Sequence, residues 1–245
     1  MLAVIGGSGL SQLANLEVTG RKVVRTPYGE PSSPLTFGSI RGKEMVFLAR
    51  HGTGHSIAPH EVNYRANLWA LGEEKVAAIV SVASVGGIRG DLVPGTLALP
   101  HQIVDYTWGR PSTFFEGAGA AVTHVDFTEP YSAALRGRIR AAAAACGEAL
   151  VDGGVYAATQ GPRLETAAEI DRLQRDGADM VGMTGMPEAA LARELGIEYA
   201  AIAAVANHAA GRGESARAVP LERIEAVLEQ TMGRVRRIIE ELVGG

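Results

Sequence analysis

The residues best suited to chemistry in this 245-residue chain sit where apolar runs give way to glycine. After the first such run comes Ile5-Gly6-Gly7-Ser8-Gly9-Leu10, whose glycines let backbone N–H groups and the Ser8 hydroxyl approach an anion closely. The run lacks the third glycine of a dinucleotide fingerprint, because Gln12 stands there, and no Lys-Ser/Thr pair completes a P-loop. On its own it reads equally well as a tight turn with no ligand.

Further segments raise the odds of an anion site. Arg50-His51-Gly52 follows residues 45–48 and brings a fork-shaped cation and an imidazole to a strand end. A rival use of His51, with His55 and His60, is metal binding, for which no cysteine partner stands nearby in the sequence. Ser81-Val82-Ala83-Ser84-Val85-Gly86-Gly87 ends another run with small residues. In Gly182-Met183-Thr184-Gly185-Met186-Pro187-Glu188 a hydroxyl precedes a helix begun by proline, whose N-terminus favours an anion.

The elements that must position these groups follow from periodicity. Short apolar, β-branched runs at 2–5, 45–48, 76–85, 96–104, 151–158 and 199–205 predict buried strands. Between them, 61–74, 131–147, 165–175 and 187–195 predict helices, and 221–242 closes the chain with Ile224, Val227, Leu228, Val235, Ile238, Ile239 and Leu242 on one face. Alternating strands and helices predict an α/β fold, and no repeat or linker divides residues 1–245 into more than one domain. Glycine, at 31 residues, clusters at the strand ends where α/β ligand sites form.

Composition narrows the partners. A hydrophobic content of 47% supports a substantial core, and a net charge of −4 with scattered Lys and Arg gives no stripe for nucleic acid. The single cysteine, Cys146, allows no disulfide within the chain and fits a reducing compartment. No signal-peptide pattern opens the sequence and no run approaches ~18 apolar residues. The expectation is a soluble cytoplasmic protein with no membrane partner.

Taken in order, Gly6-Gly7-Ser8-Gly9, Leu48-Ala49-Arg50-His51-Gly52, Val62-Asn63-Tyr64-Arg65-Ala66-Asn67, Gly161-Pro162-Arg163 and Met183-Thr184-Gly185-Met186-Pro187-Glu188 resemble the trimeric purine nucleoside phosphorylase and methylthioadenosine phosphorylase family. The resemblance covers nearly the whole chain. It implies a nucleoside phosphorylase-type fold, a central mixed β-sheet surrounded by helices, assembled as a homotrimer. It places phosphate, a co-substrate with no further cofactor and no metal, at Ser8, Arg50, His51 and Thr184 with backbone help from Ser84. It sets the ribose against Met183, and gives His124 the part of a histidine that reaches into a neighbouring subunit's 5′ pocket. Phosphorolysis passes through an oxocarbenium-like sugar, so a pre-positioned phosphate both stabilises the cation and supplies the nucleophile.

At the purine edge the chain departs from relatives that cleave methylthioadenosine. Their Asp-x-Asp is replaced in Val205-Ala206-Asn207-His208-Ala209-Ala210, where Asn207 offers an N–H₂ donor to a 6-oxo oxygen and a carbonyl to N7–H. Glu165 stands where 6-oxopurine phosphorylases resemble one another in carrying a glutamate that accepts N1–H, although a helix-terminal carboxylate favoured by the dipole is its plainer role. The residue aligned with the 5′ group is Leu221, which suits a thiomethyl but could instead be the first buried residue of the last helix. Asn207 and His51 are therefore the candidate catalytic residues, and Met183, Glu165, Asn207, His208, Ala209, Leu221 and His124 the candidate nucleoside contacts. Together these predict phosphorolysis of S-methyl-5′-thioinosine to hypoxanthine and 5-methylthioribose 1-phosphate. Inosine or guanosine, and then methylthioadenosine, are the alternative substrates, and a non-catalytic nucleotide-binding protein is the alternative class. Asp105 and His208 have no assigned chemistry at this stage.

Overall fold

A computed structural model describes residues 1–10, 12–117 and 119–245. Its frame is one mixed sheet: β1 (Leu2–Gly6), β2 (Glu17–Lys22), β3 (Leu35–Ile40), β4 (Lys43–Ala49), β5 (Ala78–Gly87), β6 (Leu97–Leu99), β7 (Gln102–Asp105), β8 (Val151–Asp152), β9 (Val155–Ala158), β10 (Met180–Gly182) and β11 (Glu198–His208). The order β2-β3-β4-β1-β5-β10-β9-β7 forms the main path, while β11 also lies against β5 and leads through β6 to β8. Among the described residues five α-helices complete it: α1 (Tyr64–Glu73), α2 (Ala133–Ala145), α3 (Ala167–Arg175), α4 (Gly185–Glu194) and α5 (Leu221–Gly244).

The strand period of two sorts side chains between the faces. Ala3 and Ile5 of β1, with Tyr199, Ala201, Ala203 and Val205 of β11, join a core with α1 and α4. Their neighbours Leu2, Val4, Ala200, Ile202, Ala204 and Ala206 join a second core with α2 and α5. Both faces of the central strands are therefore covered, which is why those strands read as continuous apolar runs. α3 packs Ile170 and Leu173 on Ala157, Val181 and Ala209 in a smaller cluster.

The expected runs 96–104 and 151–158 each divide into two strands. Pro100 follows β6, and Gly153 and Gly154, at φ 98° and 112°, turn the chain between β8 and β9. β2 and β3 were not expected, because β2 is exposed along its whole length and has no apolar pattern to read. β10 is too short at three residues to give a period. The closing helix buries Leu228, Val235, Ile238, Ile239 and Leu242 as expected and adds Thr231 and Met232. Among the described residues no helix is long and apolar enough to cross a membrane.

Candidate active site

β5 makes the site possible by changing partners along its length. Its first half pairs with β1 as far as Ser81, and its end pairs with β10 only from Gly86. Between these ladders the edge from Val82 to Val85 has no strand beside it, a switch point of the kind that holds ligands in α/β sheets. A cleft opens there, lined along this edge by Ala83, Ser84 and Val85.

At one end of the cleft, β1 and β4 finish side by side at Gly6 and Ala49, so Gly7-Ser8 and Arg50-His51 enter it together. Glycine is required at position 7, since a Cβ would lie 2.5 Å from the Val82 carbonyl oxygen and 2.8 Å from Arg50 Nη1. Thr184 joins them as the N-cap of α4, making no capping hydrogen bond with its hydroxyl. Continuous helical geometry in α4 resumes after Met186 (φ −120°, ψ 141°), in keeping with the expected start at Pro187.

Arg50 does not present an open fork to this end. Its guanidinium is fully buried, donating from Nε to Glu188 Oε2 (2.7 Å) and from Nη2 to Glu188 Oε1 (2.9 Å) and Ser81 Oγ (2.6 Å). Nη1 donates to the Val82 carbonyl (3.0 Å), which leaves one of the five N–H groups, beside the Gly7 turn. Although burial opposes the charge, the Glu188 carboxylate raises Arg50 above the ordinary guanidinium range. Glu188 also accepts from Ser81 Oγ (2.7 Å) and Tyr199 Oη (2.8 Å), so its lone pairs are occupied as a buried carboxylate needs. The sequence carried Glu188 only as part of a motif. Its apolar neighbours and its place on a helix gave no sign of an ion pair 138 residues from Arg50.

His51 is buried, and burial, with Arg50 next to it, pushes the imidazole down to about 4. Its Nδ1 lies 2.9 Å from the Ile57 carbonyl, a pure acceptor. The neutral ring therefore donates from Nδ1 and keeps Nε2 as an acceptor. His55 lies tilted against it at 4.5 Å between ring centroids and is lowered as well, by burial first and Arg50 second. His60 does not line the cleft, so the three histidines do not converge.

The other end is built from β11, the loop after β9 and the start of α5. Pairing between β11 and β5 shifts register between Val205 and Asn207, and this bulge turns the Asn207 side chain to the cleft. Asn207 Nδ2 donates to the His208 carbonyl (2.7 Å), which leaves one N–H and the amide oxygen for a ligand. Ala209 lines the cleft beside it, while His208 does not. Alternation along the strand sends the His208 ring under Gly213, whose added Cβ would be 2.7 Å from it.

Glu165 also lines the cleft. Its plainer role as a helix-terminal carboxylate is filled by others, since Thr166 caps α3 and Glu169 completes the capping box. Glu165 Oε1 accepts from Thr159 Oγ (2.6 Å), leaving Oε2 as the oxygen not engaged by Thr159. Met183 stands between the two ends of the cleft with Val181 and Gly182.

Besides His208, two site residues expected from the sequence fall elsewhere, and Asp105, which had no assigned role, also stands apart. Leu221 is 64% exposed and does not line the cleft, because the first turn of α5 faces outward; Val219 and Ile224 supply the apolar wall instead. Ile224 was on the recognised face of the helix, so its period was the available signal. His124 is exposed on the irregular segment between β7 and α2 and does not line the cleft of its own chain. Asp105 accepts from Thr107 N (2.8 Å) and Oγ (2.7 Å), a local turn with no link to the cleft.

With this geometry in view, comparison gives the class. The chain matches the phosphorylase superfamily over residues 1–244 and belongs to it. A probable S-methyl-5′-thioinosine phosphorylase of Xanthomonas campestris is 52% identical over 244 residues, covering 100% of this chain and 97% of the relative. The 6-oxopurine nucleoside phosphorylase of Pyrococcus furiosus is 46% identical, covering 86% of this chain and 80% of the relative. Methylthioadenosine phosphorylase from Schistosoma mansoni in complex with adenine is similar in structure, with a TM-score of 0.93 and 33% identity over 99% of this chain and 90% of that one.

Proposed function

We propose that this cleft cleaves S-methyl-5′-thioinosine with inorganic phosphate, giving hypoxanthine and 5-methylthioribose 1-phosphate. The observation that carries the reading is the pairing of Asn207 and Glu165 at one end of a cleft whose other end is an anion cradle. Asn207 has both a donor and an acceptor to offer O6 and N7–H, and Glu165 has an acceptor for N1–H, a set that suits hypoxanthine and opposes adenine at N1. Similarity to S-methyl-5′-thioinosine phosphorylases supports the same choice.

In the reaction, phosphate lies against the Gly7-Ser8 turn, the remaining Arg50 N–H, the Thr184 hydroxyl and backbone near Ser84. Neutral His51, with Nε2 accepting, suits a protonated phosphate oxygen. The C1′–N9 bond lengthens, its electron pair enters the purine, N7 takes a proton from solvent water, and the Asn207 amide oxygen accepts a hydrogen bond from the new N7–H. A phosphate oxygen then bonds to C1′, across the face held by Met183. Charge is met by fixed donors, so little reorganisation is needed.

Val219 and Ile224 supply apolar contact for the methylthio group. The exposed Trp108, Phe115, Val122 and Val125 share an irregular segment with His124, which supports a homotrimer in which that segment packs against a neighbour and His124 reaches its 5′ pocket. The single cysteine supports a reducing, cytoplasmic setting. The deciding experiment is a panel of methylthioinosine, methylthioadenosine, inosine and adenosine, assayed with and without phosphate. Base release independent of phosphate, or methylthioadenosine as the better substrate, would reject the reading.

A further inference from the structure

Arg110 lies in the irregular segment after β7, is 8% exposed, and does not line the cleft. Its hydrogen-bond partners are neutral oxygens from the loop after β9, from the turn into α4 and from Tyr64 at the start of α1. Nη1 donates to the carbonyls of Met183 (2.8 Å) and Met186 (2.6 Å) and lies 3.3 Å from Tyr64 Oη. Nη2 donates to the carbonyls of Gln160 (2.8 Å) and Thr159 (3.3 Å), and Nε to Gln160 Oε1 (3.2 Å). The Tyr64 ring lies under the guanidinium at 5.3 Å.

A buried cation set among neutral carbonyls is costly unless its donors are matched, and a planar fork matches them where a lysine cannot. Its position gives the cost a purpose. The ladder between β9 and β10 runs out at Ala158 and Gly182, with Thr159 N donating to the Gly182 carbonyl just beyond. Past that point the two chains diverge into loops, and Arg110 bridges them. One loop leads to Glu165, whose carboxylate Thr159 itself holds; the other carries Met183 and Met186 on either side of Thr184.

We infer that Arg110 is a positioning residue that couples the two ends of the cleft, so that filling the phosphate end tightens the purine end. This rests on phosphate at Thr184 and the purine at Glu165, as proposed above. Coupling of this kind is reciprocal, each ligand tightening the other by the same factor.

Hypoxanthine and phosphate together cannot react without a sugar, so their binding can be measured at equilibrium by calorimetry. In wild type, saturating phosphate is expected to tighten hypoxanthine by about 5-fold or more. In Arg110→Met the ratio should drop below about 2-fold, while a purely structural role would lower the melting temperature and leave the ratio alone. Should Arg110→Met not fold, Arg110→Lys, which keeps the charge but has donors for only part of the carbonyl set, must show less than half the wild-type coupling. Wild type that binds neither ligand overturns the assignment of the cleft and the coupling with it. Wild type that binds both without coupling, or a folded variant that keeps full coupling, overturns the role of Arg110 alone.

Discussion

The two ends of the cleft are made differently. The end proposed for phosphate is assembled from strand termini and a buried ion pair, with Arg50, Glu188 and Ser81 all but excluded from solvent and each fixed by several partners. The end proposed for the nucleoside is assembled from a bulge, a loop and a helix's first turns, where Asn207, Glu165, Val219 and Ile224 are only half-buried. An anion presents much the same oxygens whichever nucleoside is cleaved, so its site can be part of the core. Purine and 5′ group vary, and their contacts sit where a side chain can change without disturbing the sheet. Selectivity should therefore be movable at one end, while the other should resist change or unfold.

The sharpest test of that difference lies at the purine edge. Asn207→Asp with Ala209→Asp sets acceptors against a 6-oxo oxygen and provides them for a 6-amino group. Discrimination by an unpaired polar group reaches about 10⁴–10⁵ in favourable cases. The expected outcome is a large loss in kcat/KM for methylthioinosine and some gain for methylthioadenosine, in a variant that still folds. Glu165 would still oppose adenine N1, so adding Glu165→Ser should increase the gain. Unchanged selectivity would mean that Asn207 does not meet the purine.

Arg50→Ala tests the opposite end and should behave as a stability variant as much as a binding one. Removing one partner of a buried ion pair strands the other, at a cost of about 3–5 kcal/mol. Denaturant unfolding should show that loss alongside loss of phosphorolysis. Glu188→Gln should destabilise too, yet it leaves an uncompensated cation beside the anion site, so any folded fraction should bind phosphate more tightly than wild type. Equal stability of both variants with wild type would show that the pair is open to solvent.

Legibility in the sequence follows the same division. At the end proposed for phosphate, the tight turn was readable because close backbone approach demands glycine, and Gly7 lies against the Val82 carbonyl as that demand implies. What went unread there was the use of Arg50, since an arginine after a strand looks the same whether its fork faces phosphate or a carboxylate 138 residues on. At the end proposed for the purine, residue types were readable but side-chain directions were not. Neither the bulge that turns Asn207 inward nor the outward first turn that exposes Leu221 has a local sequence mark. Arg110 was invisible for a related reason, being a lone arginine in a segment without periodicity, given meaning only by the loops it joins.

The 5′ wall offers a smaller effect. Ile224→Ser should lower the preference for methylthioinosine over inosine by about 10-fold to 200-fold, the range for one small apolar contact. Leu221→His, made in parallel, should leave that ratio nearly unchanged. A large shift from Leu221→His alone would place the 5′ group outside the wall formed by Val219 and Ile224.

The smallest effect concerns His51 and asks whether the phosphate end is neutral before phosphate arrives. Burial, aided by Arg50, lowers the imidazole from 6.5 to about 4. Between those values the unfolded chain takes up a proton that the folded protein refuses, so stability is fully present above about pH 6.5 and falls as pH drops toward 4. His51→Gln cannot titrate and should lose less over the same range. Unfolding by denaturant at pH 7 and pH 4.5, without phosphate, should show wild type losing about 1–2 kcal/mol more than the variant. Parallel losses would mean that His51 is protonated as readily folded as unfolded. The phosphate end would then hold a titrating cation near neutral pH, and its contrast with the polar but uncharged Asn207 edge would be electrostatic as well as one of rigidity.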